Sequence, residues 1–497
     1  MLNRLPHWQL AIISGLLIGA AYPVLPFGFL AWFGFVPFIH ITLNTTPGNS
    51  FRLGYLAGSV ANLVAVYWIG FNSGAVFITA LASMIGAILY LGIFWGLFAA
   101  GISWLNIKTS RGLMLWPLLW VLMEYLRSFG ALGFPWINLA TTQAGYLPLI
   151  QLAEITGSYG IAFWIILINV FIYRALTLRK KMQSALIYGA AIFLLVFITG
   201  LLRIDYLKDI DHAQSIDVAI VQPNLNPNDK WKSEKRENVF NLMDSTLVEA
   251  LALKPQLVIW PESAVPAYLR TNKYRSRRIE KRVFDAGIPL LTGAVDRLKQ
   301  DNGEWSVFNG SILYKPDSTQ TIYHKMHLVP FAEYIPLSGK FPVLKKLNFG
   351  QGNFAHGEMF TIFEVDSVKF SNIICYESSI PQLVRKFVSA GARMITIETN
   401  DAWVGQTSGP YQHYALAVLR AVENRVPIVR CANTGISGYI DITGKTTNKI
   451  PLNELGIAKQ VVNIPSRVSL YARFGDIFVF LNFLIMIVIS GVGWKRK

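Results

Sequence analysis

Ser371-Asn372-Ile373-Ile374-Cys375-Tyr376-Glu377 (SNIICYE) is a short apolar, β-rich run that ends on a cysteine and then turns polar. Such a run reads as a buried strand whose last residue stands where a loop begins. In an α/β sheet that is where side chains are held rigidly yet can meet a substrate. Outward from it the pattern repeats, with strands expected at Ile216–Gln222, Leu257–Trp260, Pro289–Gly293, Ser306–Tyr314, Thr361–Val365, Val368–Cys375, Met394–Glu398 and Ile428–Ala432. Helices are expected at Ser233–Leu253, Lys273–Asp285, Pro381–Ala390 and Tyr411–Asn424. The alternation predicts an α/β or layered α+β domain.

The limits of that domain follow from charge. Residues Ile204–Arg473 hold 26 of the 29 acidic and 32 of the 45 basic residues of this 497-residue chain. The remainder consists of long apolar runs, and about 20 such residues in a helix cross a hydrocarbon core of roughly 30 Å. Seven spans are expected before the polar block: Trp8–Tyr22, Phe27–Leu43, Phe51–Gly70, Val76–Trp104, Gly112–Phe129, Tyr159–Leu176 and Met182–Leu202. An eighth, Phe474–Trp494, follows it. The first two are separated at Tyr22–Pro26, where Pro23 and Pro26 interrupt a helix ladder. The first is read as a retained helix, because no A-x-A-like exit follows it. The expected domains are therefore 1–203, 204–473 and 474–497.

Basic residues orient this arrangement. With the N-terminus inside, eleven of them (Arg4, Arg52, Lys108, Arg111, Arg174, Arg179, Lys180, Lys181 and Lys495–Lys497) fall on the cytoplasmic side, against Arg127 alone in the short outward loops. Both termini are expected in the cytoplasm and the polar block outside, in the periplasm of a Gram-negative cell. The formal charge of +16 thus lies largely in topology-setting loops, and no nucleic-acid partner is expected. Cys375 and Cys431 are too few for a disulfide framework or a zinc cluster.

Three residues stand at expected strand ends: Glu262 in Trp260-Pro261-Glu262-Ser263, Lys325 in Tyr323-His324-Lys325-Met326-His327, and Cys375. A free thiol is mostly protonated at neutral pH and needs a base or a cationic neighbour to become a nucleophile. A carboxylate can take its proton. An ammonium can favour the thiolate and stabilise the oxyanion formed when a carbonyl is attacked, assisted by a backbone N–H such as that of Tyr376. The chemistry so described is acyl transfer through a thioester. No metal is expected: His324, His327 and His413 could approach one another, but no HExxH-like pair occurs. No phosphate-cradling glycine loop is present, so no cofactor is expected.

Longer motifs connect these residues: WPESAVP (Trp260–Pro266), KMHLVPFAEYIP (Lys325–Pro336), ICYE (Ile374–Glu377), NDAWV (Asn400–Val404), Gly409-Pro410, Gln412-His413, RAVEN (Arg420–Asn424) and NTGIS (Asn433–Ser437). In them the chain resembles the nitrilase (carbon–nitrogen hydrolase) superfamily, and within it the apolipoprotein N-acyltransferase family. The resemblance implies eight membrane spans and a nitrilase-like αββα sandwich inserted before the last. It implies Glu262 as general base, Lys325 as oxyanion stabiliser and Cys375 as nucleophile. Glu333 matches the family's second glutamate, Tyr376 and Glu377 flank the nucleophile, and Trp231 and Trp403 match aromatic positions of the substrate site. Ala332 departs from the family pattern, where glycine precedes the Glu-Tyr pair.

The implied reaction is ping-pong. Cys375 takes an acyl chain from a membrane phospholipid, with phosphatidylethanolamine the expected donor. The α-amine of an apolipoprotein's N-terminal diacylglyceryl-cysteine then receives it. The enzyme is expected to be a monomer in the bacterial inner membrane. Leu337–Phe354, which mixes aromatics, glycines and lysines, is expected to act as an interfacial lid. Two other readings use the same residues differently: a membrane-bound amidase or nitrilase acting on a small substrate, and a non-catalytic transporter or receptor. Eight spans with few charges favour lipid handling over a mere tether, and transport usually leaves ionisable groups within spans, whereas Glu124 and Glu154 lie near expected span ends.

Overall fold

The computed structural model describes residues 2–177, 182–301, 303–341, 343 and 353–494. The chain divides into two compact units: one comprises Met1–Gly70, Leu81–Asp209 and Phe474–Lys497, the other Phe71–Ala80 and Ile210–Arg473.

The first unit is helical. Each expected apolar run coincides with helix, but the helices are unequal. Four are long and apolar enough to cross a membrane: Pro47–Phe71, Phe77–Thr109, Ser158–Thr177 and Met182–Lys208. His7–Ala20, Gly28–Asn44 and Ile477–Gly493 are shorter, as is the 16-residue Gly112–Arg127, interrupted by Pro117. At 1.5 Å per residue the 14 residues of His7–Ala20 extend about 21 Å, less than a hydrocarbon core. Arg179–Lys181 and Lys495–Lys497, used above for orientation, lie outside the described residues. The loop between Arg127 and Ser158 is built rather than bare, carrying the short helices Leu139–Gln143, Leu147–Ile150 and Ala153–Thr156. Glu124 lies in the last turn of Gly112–Arg127, as expected near a span end, but is buried and accepts the backbone N–H of Leu139 at 2.8 Å.

Close helix contact in this unit rests on small residues, as expected where lipid offers no hydrophobic driving force. A Cβ on Gly58 would lie 2.5 Å from Trp95 Cβ, so Pro47–Val66 can approach Phe77–Thr109 only with glycine there. Around this contact Phe35, Phe38, Trp95, Phe98, Trp116 and Trp120 form an interlocked aromatic core, with Phe98 and Trp116 centroids 4.5 Å apart.

The second unit holds twelve described strands in two six-stranded sheets. The first sheet contains β1 (His212–Gln222), β2 (Leu257–Ile259), β3 (Leu290–Lys299), β4 (Trp305–Tyr314), β5 (Gln320–His324) and β12 (Gly456–Pro465), ordered β12-β1-β2-β3-β4-β5. The second contains β6 (Phe363–Val365), β7 (Val368–Ile374), β8 (Met394–Thr399), β9 (Ile428–Ala432), β10 (Ser437–Ile440) and β11 (Thr446–Ile450), ordered β11-β10-β9-β8-β7-β6. In each sheet three central strands are parallel and the outer ones antiparallel.

The sheets face one another through side chains of both. Ser311 of β4 donates to Glu398 of β8 at 2.6 Å, Asn372 of β7 donates to Ser311 at 2.6 Å, and Tyr439 of β10 reaches the carbonyl of Val218 in β1 at 2.8 Å. Helices Arg236–Ala252 and Lys273–Ala286 cover the outer face of the first sheet. Phe240, Met243, Leu247, Ile279 and Val283 pack there on Val258, Trp260 and Leu290, each large side chain contributing about 1.5–3 kcal/mol by burial. Helices Pro381–Ser389 and Ser408–Asn424 belong to the second sheet. The order helix, sheet, sheet, helix is the αββα sandwich that the resemblance implies.

Strand limits shift from the sequence reading in ways that matter. β3 continues to Lys299 instead of ending at Gly293, because Thr292–Val295 stay paired with β4. β7 stops at Ile374, which leaves Cys375 at the head of a 3-10 turn, Cys375–Ser379.

Candidate active site

The parallel strands of both sheets deliver the site. β2 ends into Trp260-Pro261-Glu262, β7 into Cys375 and β8 into Asn400-Asp401, while the β4–β5 hairpin carries Asn309 and Lys325. Gly293 lets β3 approach the Glu262 backbone: a Cβ there would lie 2.6 Å from Glu262 Cα.

Glu262, Lys325 and Glu333 are all buried, Lys325 completely. Lys325 Nζ donates to Glu333 Oε1 at 2.8 Å, and Glu333 Oε2 accepts the Val329 backbone N–H at 2.8 Å. Asn309 joins the two carboxylates, donating to Glu262 Oε1 at 2.7 Å and to Glu333 Oε1 at 3.1 Å. Lys325 thus pairs directly with Glu333, and Asn309 links that carboxylate to Glu262. Burial opposes the charge on Lys325, but Glu333, Glu262, Cys375 and Glu377 outweigh it and hold its pKa above the usual lysine range. Burial pushes the Glu262 carboxyl up, with Glu333 adding and Lys325, Asn309 and Lys230 opposing.

Cys375 is half-buried and has φ +51°, a left-handed conformation that is strained for a side chain other than glycine. Burial and the Glu262 carboxylate push its thiol up to about 12, against the opposing pull of Lys325. Lys325 acts in the direction expected of an ammonium that favours the thiolate, but does not cancel the rise. A thiol raised in this direction needs a base nearby if it is to attack a carbonyl.

Glu377, completely buried, organises the turn. Its Oε1 accepts the N–H groups of Met326 at 2.8 Å and His327 at 3.0 Å, its Oε2 that of Ile374 at 2.8 Å, and the Tyr323 hydroxyl reaches both. One carboxylate therefore ties the segment after Lys325 to the strand that ends at Cys375.

Of the three histidines considered above, His324 pairs with Asp296 at 2.8 Å and His413 with Asp401 at 2.7 Å, so they form no common cluster. Cys375 Sγ, one Asp401 oxygen and one His413 nitrogen do lie within 4.8 Å of one another. Asp401 already takes Arg430 Nη2 at 2.7 Å and Thr399 Oγ1 at 3.0 Å. A second cation would face the Arg430 guanidinium, so these residues fit an ion pair better than a metal.

Residues 14–171 match the model for the apolipoprotein N-acyltransferase N-terminal domain, and residues 217–469 that for carbon–nitrogen hydrolase. An apolipoprotein N-acyltransferase of Geobacter metallireducens is 33% identical, over 99% of this chain and 96% of its own. One of Chlorobaculum tepidum is 30% identical, over 98% and 96%. The chain belongs to the apolipoprotein N-acyltransferase family. Among solved structures, the amidase of Nesterenkonia sp. AN1 is 19% identical, covering 54% of this chain and 99% of its own with a TM-score of 0.39. As an apolipoprotein N-acyltransferase family member with several long apolar helices, the chain is a multi-pass membrane protein.

The remaining expected residues of this family member lie around that centre. Tyr376 is buried next to Cys375 in the chain. Trp231, 37% exposed, follows Lys230, whose ammonium donates to the Ser263 carbonyl next to Glu262. Trp403 lies in the turn Asp401–Val404, and its carbonyl accepts the Ser73 N–H at 2.7 Å. Of the expected lid Leu337–Phe354, residues 342 and 344–352 lie outside those described. Its far end is anchored, Phe354 N–H donating to the Glu333 carbonyl at 2.9 Å.

Sequence reading missed Lys230, Asn309, Asp401 and Arg430 as members of this network. Lys230 is buried, and burial lowers its pKa to about 8, with Glu262 opposing. Asn309 had a signal: an amide inside the apolar run SVFNGSILY needs a buried partner. Asp401 and His413 lie within NDAWV and Gln412-His413, but their meeting depends on how Ser408–Asn424 packs.

Proposed function

We propose that this enzyme moves an acyl chain from a membrane phospholipid to the α-amine of an N-terminal diacylglyceryl-cysteine on an apolipoprotein. The carrying observation is the match to acyltransferase relatives over nearly the whole chain, joined to a thiol that feels both Glu262 and Lys325.

Cys375 is the nucleophile and Glu262 the base. As sulfur bonds to the ester carbonyl carbon, the thiol proton passes to Glu262 and the carbonyl oxygen becomes an oxyanion beside the Lys325 ammonium. Collapse breaks the ester C–O bond. The lysophospholipid leaves with the proton returned by Glu262, and a thioester remains. The acceptor amine then attacks the thioester, gives its proton to Glu262, and releases Cys375 as its thiol while the amide forms. Glu333 holds Lys325 in place, and Glu377 holds the nucleophile turn. Trp231 and Trp403 line the approach of the acyl chain.

Both substrates are anchored in the bilayer, since each buried CH₂ adds about 0.8 kcal/mol. The site must therefore work at the membrane surface, which fits a chain with apolar helices on both sides of the catalytic segment. The full proposal is eight spans in the inner membrane, domains at 1–203, 204–473 and 474–497, a periplasmic catalytic domain, cytoplasmic termini, phosphatidylethanolamine as donor and a monomeric enzyme. Incubation with phosphatidylethanolamine labelled in its acyl chains, with and without a diacylglyceryl peptide, tests it. Label moving to the peptide amine supports the reading, and label recovered only as free fatty acid with acceptor present favours hydrolysis and overturns it.

A further inference from the structure

The reaction above leaves one well-built group unused. His413 is buried, and its Nε2 lies 3.0 Å from the carbonyl oxygen of Cys375 and 2.9 Å from Ser378 Oγ. Ser378 Oγ in turn lies 2.9 Å from the same carbonyl oxygen. On the other side of the ring, Nδ1 lies 2.7 Å from Asp401 Oδ1, whose second oxygen accepts Arg430 Nη2 at 2.7 Å. Nε2 and the Ser378 hydroxyl both stand within hydrogen-bond distance of the Cys375 carbonyl oxygen; with the proton on Nε2 the ring donates to that oxygen while Nδ1 accepts from Arg430 Nη2 at 3.1 Å.

We propose that His413, fixed by Asp401 and Arg430, is a positioning residue for the peptide bond between Cys375 and Tyr376, and so for the N–H that receives the developing oxyanion. A trans peptide is planar, and its C=O and N–H point in opposite directions. Fixing the Cys375 oxygen therefore aims the Tyr376 N–H. The clamp also holds Cys375 in the left-handed conformation at φ +51°, which a lone residue of this type would leave without support. Ser378 provides a second hold on the same oxygen through its hydroxyl. His413 touches no reacting atom in this scheme; its effect passes through the peptide.

This inference rests on the acyl-transfer reading and makes a sharper demand. Acylation of Cys375 builds an oxyanion, whereas alkylation of the same sulfur by iodoacetamide does not. Loss of the clamp must slow the first and spare the second. Cys431 is completely buried, so surface-accessible alkylation reports Cys375.

The experiment uses the full-length enzyme in nanodiscs. Single-turnover acylation by p-nitrophenyl octanoate and alkylation by iodoacetamide are measured for wild type, His413→Ala, His413→Gln and Ser378→Ala. The amide of glutamine can place a donor near the position of Nε2. His413→Ala is expected to acylate about 10- to 100-fold more slowly, a range just below that for deleting an oxyanion donor outright, with alkylation within about twofold of wild type. His413→Gln should recover most of the acylation rate, and Ser378→Ala should show a smaller loss of the same kind. Acylation at the wild-type rate in His413→Ala overturns the proposal, as does equal loss of both reactions. If His413→Ala does not fold, Ser378→Ala and His413→Gln decide by the same split. A wild-type enzyme that alkylates but forms no acyl-enzyme brings down the acyl-transfer reading itself.

Discussion

Asn309 Nδ2 donates a hydrogen bond of 2.7 Å to Glu262 Oε1. That bond stabilises the ionised carboxylate, the form in which the proposed base takes the thiol proton. Burial drives Glu262 toward its neutral form and the amide opposes this, which keeps the proposed base usable. A hydrogen bond to a charged group is worth about 1.5–3 kcal/mol, and about 1.4 kcal/mol corresponds to one pH unit.

The acid limb of acylation is therefore expected to rise with the ionisation of Glu262, above the ordinary carboxylate range. In Asn309→Ala it should move to higher pH, with a loss of about tenfold or more at pH values on that limb. A single-turnover pH profile checks this. An unmoved limb would separate Asn309, or Glu262, from proton transfer.

Lys325 is completely buried, pairs with Glu333 and feels the charge of Glu262. Replacing it with methionine leaves two buried carboxylates without their cation, a change that costs about 3–5 kcal/mol when a buried pair is broken. The sign with pH is definite. Without Lys325 the Glu262 carboxyl, already raised by burial, loses the cation that opposes the rise, so the cost is relieved as pH falls and grows as pH rises through the unfolded carboxylate range. Thermal unfolding of Lys325→Met should lie far below wild type at pH 8 and closer to it at pH 5. A pH-independent gap would contradict the cluster's electrostatics.

Glu377 receives donors from Tyr323, Met326, His327 and Ile374. In Glu377→Gln one oxygen becomes an NH₂ group that faces an N–H donor. A loss of about 1–3 kcal/mol is expected from the unsatisfied groups, together with slower alkylation of Cys375, because the turn itself loosens. Midpoint temperature and iodoacetamide reactivity should fall together, and unchanged reactivity with lower stability would place Glu377 outside the control of the nucleophile.

Much of this was legible in the chain because the signals were local. The strand SNIICYE, the Trp-Pro-Glu turn and the Pro break at Tyr22–Pro26 each depend on a few neighbouring residues. What stayed hidden depends on partners far apart in sequence. His413 meets Cys375 across 38 positions and Arg430 meets Asp401 across 29, and neither separation leaves a periodic trace. β10–β12 are short or edge strands with broken alternation: β11 (TTNKI) is largely polar, and β12 is half-exposed along most of its length. Helix length is a third case. Composition marks an apolar run, but the 14 residues of His7–Ala20 end where Pro23 and its neighbours turn the chain, a local stop that hydropathy averages over.

The central claim is that Cys375 carries the acyl group. Intact mass measurement of the full-length enzyme after incubation with phosphatidylethanolamine alone tests it most directly. One added acyl mass is expected, removed by hydroxylamine and absent from Cys375→Ala. An unmodified wild-type mass under conditions where peptide acceptor is acylated, or an acyl mass that persists in Cys375→Ala, would contradict it.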